Sequence, residues 1–190
     1  MTNFTPGLDV IILAGGRGSR MGGRDKATVR VNGERLIDLL LDEVSLLDGL
    51  MQVIVVTTRG LDVRPGVKVV AEDPAFAGPV AAIAAGLAAA AGQPSTTTAI
   101  LAVDAPASAA LVPDLIDALD DGDAACVDGQ PLCAVWSTPA LQQRISDLDS
   151  VQDRSARSLL EGQTVYTIDG NGDETDYDTL EELREIGTVD

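Results

Sequence analysis

"LAGGRGSRMGGRDK", residues 13–26, places five glycines and four basic side chains in fourteen positions. The whole chain has 13 Lys plus Arg, so nearly a third of its positive charge sits in one loop. The run leading into it, "LDVIIL" (8–13), is apolar apart from Asp9 and stops just short of glycine, which reads as a buried strand. A buried strand running straight into a glycine-rich basic loop opens an α/β unit. Glycine there lets backbone amides turn toward an anion, with Arg17, Arg20, Arg24 and Lys26 around it.

Outward from that loop, strand and helix patterns alternate. Leu36, Leu40, Val44 and Leu47 recur at helical spacing, which predicts a helix over 35–47. "MQVIVVTT" (51–58) and "VKVVAED" (67–73) read as strands, and residues 77–91 as an alanine-rich helix entered through Gly78-Pro79. "TTAILAVD" (97–104) is a further strand that ends on Asp104. A helix over 113–119, short strands in "DAACVD" and "PLCAVW", and helices over 141–148 and 155–160 follow; the strand "TVYTI" (164–168) and a closing helix over 179–186 complete the chain. Apolar strands alternating with helices predict a mostly parallel central sheet covered on both faces, a three-layer α/β/α sandwich. With no repeat and no linker-like segment, residues 1–190 read as a single domain. In such sheets ligands sit beyond the C-terminal ends of the strands, where both the glycine loop and Asp104 fall.

Composition removes several function classes. The net charge of −17 argues against nucleic acid as partner, because a phosphate backbone would be repelled. The charge is uneven: residues 1–26 hold four basic and two acidic side chains, residues 140–190 four basic and thirteen acidic. A chain with no histidine has no imidazole base, no histidine zinc site and no Ser-His or Cys-His nucleophile pair. The longest apolar run, near 80–91, is broken by glycine and does not read as a membrane span. The first nine residues contain Asp9 and no Lys or Arg, unlike a secretory signal, and only Cys126 and Cys133 occur; the expectation is a cytoplasmic protein with two small buried thiols. Trp136, the only tryptophan, reads as a core residue.

Single residues exclude two common phosphate loops. Gly18 and Gly23 have P-loop spacing, but Arg24-Asp25 stands where Lys-Ser/Thr is required. A dinucleotide fingerprint beginning at Gly16-Arg17-Gly18 meets Met21 where its third glycine belongs. A long loop with several amides and cations remains, and it suits a triphosphate.

These residues resemble the nucleotidyltransferase superfamily that makes activated sugars and cofactors, and within it the molybdenum cofactor guanylyltransferases. The resemblance begins with the loop itself and continues in order through "AEDPAFAGPVAAIAAGL" (71–87), "LAVDAP" (101–106), "GQPLCAVW" (129–136), "DRSARSLL" (153–160) and "DYDTLEEL" (176–183). It implies a Rossmann-like nucleotidyltransferase fold, nucleotide-binding in its N-terminal part and acceptor-binding in its C-terminal part. The implied substrates are GTP and molybdopterin, with Mg²⁺ as cofactor and no membrane or nucleic acid involved; it also leaves room for transient contact with molybdoenzymes or other cofactor-biosynthesis proteins. Carried over, Leu13, Ala14, Gly15, Gly16 and Gly18 bind the nucleotide, with Gly15 in place of the second alanine of cytidylyltransferases leaning toward guanine. Lys26 and Arg20 offset charge on the phosphates, Asp104 holds the metal, and Asp73 accepts from the guanine edge. Asp176 is the candidate second metal ligand, and Gln130, Arg154 and Arg157 belong to the acceptor side. Asp176 and Asp178 stand where guanylyltransferases often have asparagine, so cytidylylating, phosphosugar or phospholactate relatives stay open, as does a non-catalytic nucleotide-binding one.

Overall fold

The protein's structure, a computed structural model, describes residues 7–16, 23–92 and 95–190. In chain order its elements are β1 (Leu8–Leu13), β2 (Arg30–Val31), β3 (Glu34–Arg35), α1 (Leu36–Val44), β4 (Leu50–Thr57), β5 (Val67–Ala71), α2 (Pro79–Ala90) and β6 (Thr97–Ala102). Then come α3 (Val112–Leu119), β7 (Ala124–Val127), β8 (Gln130–Ser137), α4 (Thr138–Ser146), α5 (Ala156–Leu160), β9 (Val165–Ile168) and α6 (Leu180–Leu183). Seven strands form one sheet in the order β5-β4-β1-β6-β8-β7-β9. The pairings β5–β4–β1–β6 are parallel, β8 runs antiparallel to β6 and β7, and β9 is parallel to β7.

Alternation along the strands builds the two outer layers, because successive side chains leave opposite faces of a sheet. Val10 and Ile12 of β1 join Val53, Val55 and Leu101 under Leu36, Leu40 and Leu115 of α1 and α3. Ile11 and Leu13 join Ile54, Val56 and Ile100 under Val80, Ile83, Leu141 and Leu159 of α2, α4 and α5. Hence β1, with core residues on both faces, lies fully buried at the centre. The α/β/α sandwich expected from the sequence is the observed architecture. Trp136, 1% exposed, lies in the second core cluster, and both cysteines are buried free thiols.

The sequence reading did not include the β2–β3 hairpin. Its signal is the dipeptide Asn32-Gly33, whose φ values of 52° and 87° make the tight turn such a pair favours. Val31 also bridges to Val189, tying the chain's end to this hairpin.

α2 approaches the sheet closely at Gly86. A β-carbon there would lie 2.6 Å from Ile11 Cγ2 and 3.2 Å from Val56 Cγ2. At its C-terminus, Lys68 Nζ donates to Ala89 O (3.2 Å) and Gln52 Nε2 to Ala90 O (3.1 Å), meeting carbonyls the helix leaves unpaired. One of the two lysines is therefore structural. The opposite end of α2 opens on the cleft.

Candidate active site

Strand order places the cleft. From β1 the chain crosses to β4 and β5 on one side and returns to β6 on the other, so the loops after β1 and β6 diverge above the sheet. Backbone hydrogen bonds carry the ladders past the strand ends: Ala14 N to Val56 O (2.8 Å), Val103 N to Leu13 O (3.0 Å) and Glu72 N to Thr57 O (3.0 Å). They fix the first residues of three loops around a cavity of about 450 Å³. Leu13, Gly15 and Gly16 line it from one side, Val103 and Asp104 from another, and Glu72, Phe76 and Pro79 from a third.

Lys26 enters this cleft on a short 3-10 turn, Lys26–Thr28, capped by Asp25, whose side chain accepts from Ala27 N at 3.1 Å. Its ammonium donates to Asp104 Oδ2 at 2.8 Å and to Asp178 Oδ1 at 2.6 Å. Burial pulls the Lys26 pKa down, but the Asp104 and Asp178 carboxylates outweigh it and leave the group more basic than an ordinary lysine. Asp178 comes from the chain's tail. Tyr177 N donates to Asp104 O (2.9 Å), laying the tail across the end of β6. Next, a capping box on Thr179 and Glu182 turns the chain into α6. That turn sets Asp178 over Lys26. Asp176 instead lies exposed, its Oδ1 accepting from Gln130 Nε2 at 3.5 Å, so the tail carboxylate beside Asp104 is Asp178 and not the Asp176 expected from the sequence. Among the described residues, no three Asp, Glu or Cys side chains gather into a self-sufficient metal site.

A second difference concerns the acidic pair after β5. Asp73 is exposed and does not line the cleft, whereas Glu72 does, at 8% exposure. Glu72 follows Ala71 at the end of β5, and its amide is bonded to Thr57, so the strand's geometry turns this carboxylate inward and its neighbour outward. Among the described residues, Glu72 Oε1 is buried with no hydrogen-bond partner. A β-carbon at Gly15 would lie 3.3 Å from Glu72 Oε2 and 3.3 Å from Thr58 Cγ2, so a side chain there would crowd the carboxylate. The missed signal was position: Glu72, not Asp73, ends the apolar run of β5. Of the other sequence-derived residues, Leu13, Gly15, Gly16, Lys26 and Asp104 meet at the cleft and Ala14 is buried beside it. Arg17, Gly18 and Arg20 lie outside the described residues.

A smaller hollow of about 220 Å³ opens on the same rim, beyond the start of β8. Gln130, Asp128, Arg157 and Thr167 line it, and Gln130 stands two residues from Leu132 of the main cleft. Arg157 is exposed there and forms no ion pair with any described residue, while Arg154 Nε is spent on Ser150 O at 2.6 Å.

A family model described as "MobA-like NTP transferase domain" matches residues 10–167. The chain belongs to this family. A molybdenum cofactor guanylyltransferase from Vibrio atlanticus is 39% identical over 79 residues, 40% of either chain. A probable molybdenum cofactor guanylyltransferase from Opitutus terrae is 39% identical over 138 residues, 68% of this chain and 66% of the relative. The chain thus spans 40% and 66% of the length of these two relatives. Among solved structures, a nucleotidyl transferase from Methanothermobacter thermautotroptrophicus shares the fold at TM-score 0.71 with 20% identity, 95% of each chain being covered. The molybdopterin-guanine dinucleotide biosynthesis protein A of Archaeoglobus fulgidus superposes at TM-score 0.67 with 19% identity, over 94% of this chain and 96% of that one. In this MobA-like domain the glycine loop, Lys26 and Asp104 all fall within the matched residues, and Asp178 lies beyond them.

Proposed function

We propose that the protein transfers GMP from GTP to molybdopterin with release of pyrophosphate. One observation carries this reading: Gly15, Gly16, Lys26, Asp104 and Asp178, from four separate parts of the chain, converge on a single cleft at the C-terminal rim of the sheet. The attacking group, a phosphate oxygen, is already a nucleophile, so the transfer needs positioning and charge neutralisation more than a base. A chain without histidine can supply both.

The named relatives support the nucleotide, and the cleft supplies a physical reason. A carboxylate repels phosphates, so Glu72 belongs at the base end. Guanine offers two adjacent donors, N1–H and N2–H, that one carboxylate accepts together, whereas adenine and cytosine present a ring nitrogen acceptor beside their amine. The unpartnered Glu72 Oε1 therefore favours GTP over ATP or CTP. Glycine at position 15 lets the base lie against the backbone.

At the phosphate end, Asp104 Oδ2 and Asp178 Oδ1 lie 2.8 and 2.6 Å from the same nitrogen and so already converge on one cation. Two carboxylates completed by substrate phosphates are a donor set that suits magnesium. Asp104 and Asp178 would hold Mg²⁺, and when bound it would withdraw charge from the α- and β-phosphate oxygens. Lys26, freed from the carboxylates, follows the negative charge onto pyrophosphate, a task that suits a point charge on a flexible stem. The hollow at Gln130 and Arg157 is the acceptor side in this reading, with the guanidinium taking an anionic group of molybdopterin. Two free buried cysteines fit a reducing, cytoplasmic setting.

Calorimetric titration of GTP, CTP and ATP, with and without Mg²⁺, tests the reading, followed by pyrophosphate release on adding molybdopterin. GTP preference strengthened by magnesium is expected. Preference for CTP would remove the guanylyl assignment, and absence of nucleotide binding would remove the function altogether.

A further inference from the structure

Phe76 sits in the cleft wall between Glu72 and Gly78 with φ at 64°, a backbone conformation a bulky residue rarely adopts. Its side chain is not hidden to compensate: the residue is 40% exposed, among the few large apolar side chains left in solvent. The fold therefore holds a partly exposed aromatic ring in a strained conformation at the mouth of a cleft. Strain of this kind persists where it serves a site. Four residues earlier lies Glu72, whose buried Oε1 has no partner among the described residues and which the proposed function assigns to the edge of a base.

We infer that Phe76 is a nucleobase-stacking residue, its ring covering the face of the base whose edge Glu72 reads. This rests on the proposed nucleotide function and divides base recognition into two separable parts. A carboxylate distinguishes one base from another. An aromatic face does not, because every base has a π-surface. Phe76 supplies affinity and Glu72 supplies selectivity.

The decisive variant is Phe76→Gly, since glycine adopts φ near 64° without strain. A stacking role predicts that GTP affinity falls roughly ten- to a hundred-fold in a variant that stays folded by circular dichroism, whatever stability the ring's contacts within the protein contribute. A purely internal packing role predicts a change in thermal stability with GTP affinity unchanged. ATP affinity should fall by a similar factor, leaving the GTP/ATP ratio unchanged. Phe76→Trp should keep GTP binding and show emission quenched on GTP addition, because the one native tryptophan, Trp136, is buried in the core. GTP affinity unchanged in Phe76→Gly, or indole emission in Phe76→Trp insensitive to saturating GTP, would overturn the inference while leaving the proposed function intact. Wild-type protein that bound no nucleotide would overturn both.

Discussion

Replacing Glu72 by glutamine should move binding and stability in opposite directions. In the free protein Oε1 is buried with no partner among the described residues, and the residue is 8% exposed. A buried, unsatisfied polar atom costs about 1–3 kcal/mol, more if it carries charge. The amide of Glu72→Gln has the same shape and keeps an unsatisfied polar atom but carries no charge, so unfolding should become harder only by the charge's share, on the order of 1 kcal/mol. At this chain length that corresponds to a rise in Tm of roughly 2–4 °C per kcal/mol. In the complex the balance reverses. Hydrogen bonds to charged groups are worth about 1.5–3 kcal/mol, and the glutamine amide would set a donor against the donors of guanine. GTP affinity should fall about 10- to 150-fold. ATP, whose edge matches a glutamine, should bind as well as before or better. Differential scanning calorimetry and isothermal titration on the same preparation read both effects. A variant with lower Tm and unchanged GTP affinity would show that Glu72 is an internal structural partner, and the base-reading argument would be refuted.

Other consequences follow from the packing and the site. Gly86→Ala should destabilise the fold by about 1–3 kcal/mol in chemical denaturation despite alanine's better helix propensity, because the new methyl meets Ile11 and Val56. Cys133 should stay unlabelled by a thiol reagent in the native protein and react on unfolding, since burial pushes its thiol up to about 12; labelling of the native protein at neutral pH would contradict that burial. Lys26→Met should abolish turnover and tighten Mn²⁺ binding measured by EPR without nucleotide, because the lysine no longer competes for Asp104 and Asp178. Arg157→Ala should raise KM for molybdopterin about ten-fold and leave the GTP Kd unchanged; equal KM values would remove Arg157 from the acceptor side.

What the sequence revealed and what it concealed divide along a physical line. The layers were legible because a strand such as "LDVIIL", with large apolar residues on both faces and Asp9 its one charged side chain, belongs at the centre of a covered sheet. Helices with one apolar stripe, such as α1, must then lie over it. Gly15, Gly16 and Lys26, from the described parts of the glycine-rich stretch, were legible as cleft residues for the same kind of local reason: glycine and charge concentrated together disfavour helix and strand. The differences between the sequence reading and the structure concern orientation. Asp73 and Glu72 are adjacent and chemically alike, and which one faces inward depends on the register of β5 against β4, a long-range pairing. Asp176 and Asp178 differ by where the tail crosses β6, where Tyr177 N donates to Asp104 O and the Tyr177 side chain packs against the core. Chemistry can thus be read from residue types, whereas the choice between neighbouring carboxylates is made by contacts over long stretches of chain. Tail length follows from the same reasoning. Asp178 reaches the cleft because Val189 bridges to Val31 and the Thr179 capping box starts α6 there. The final residues after the family's matched segment are therefore part of the site's construction.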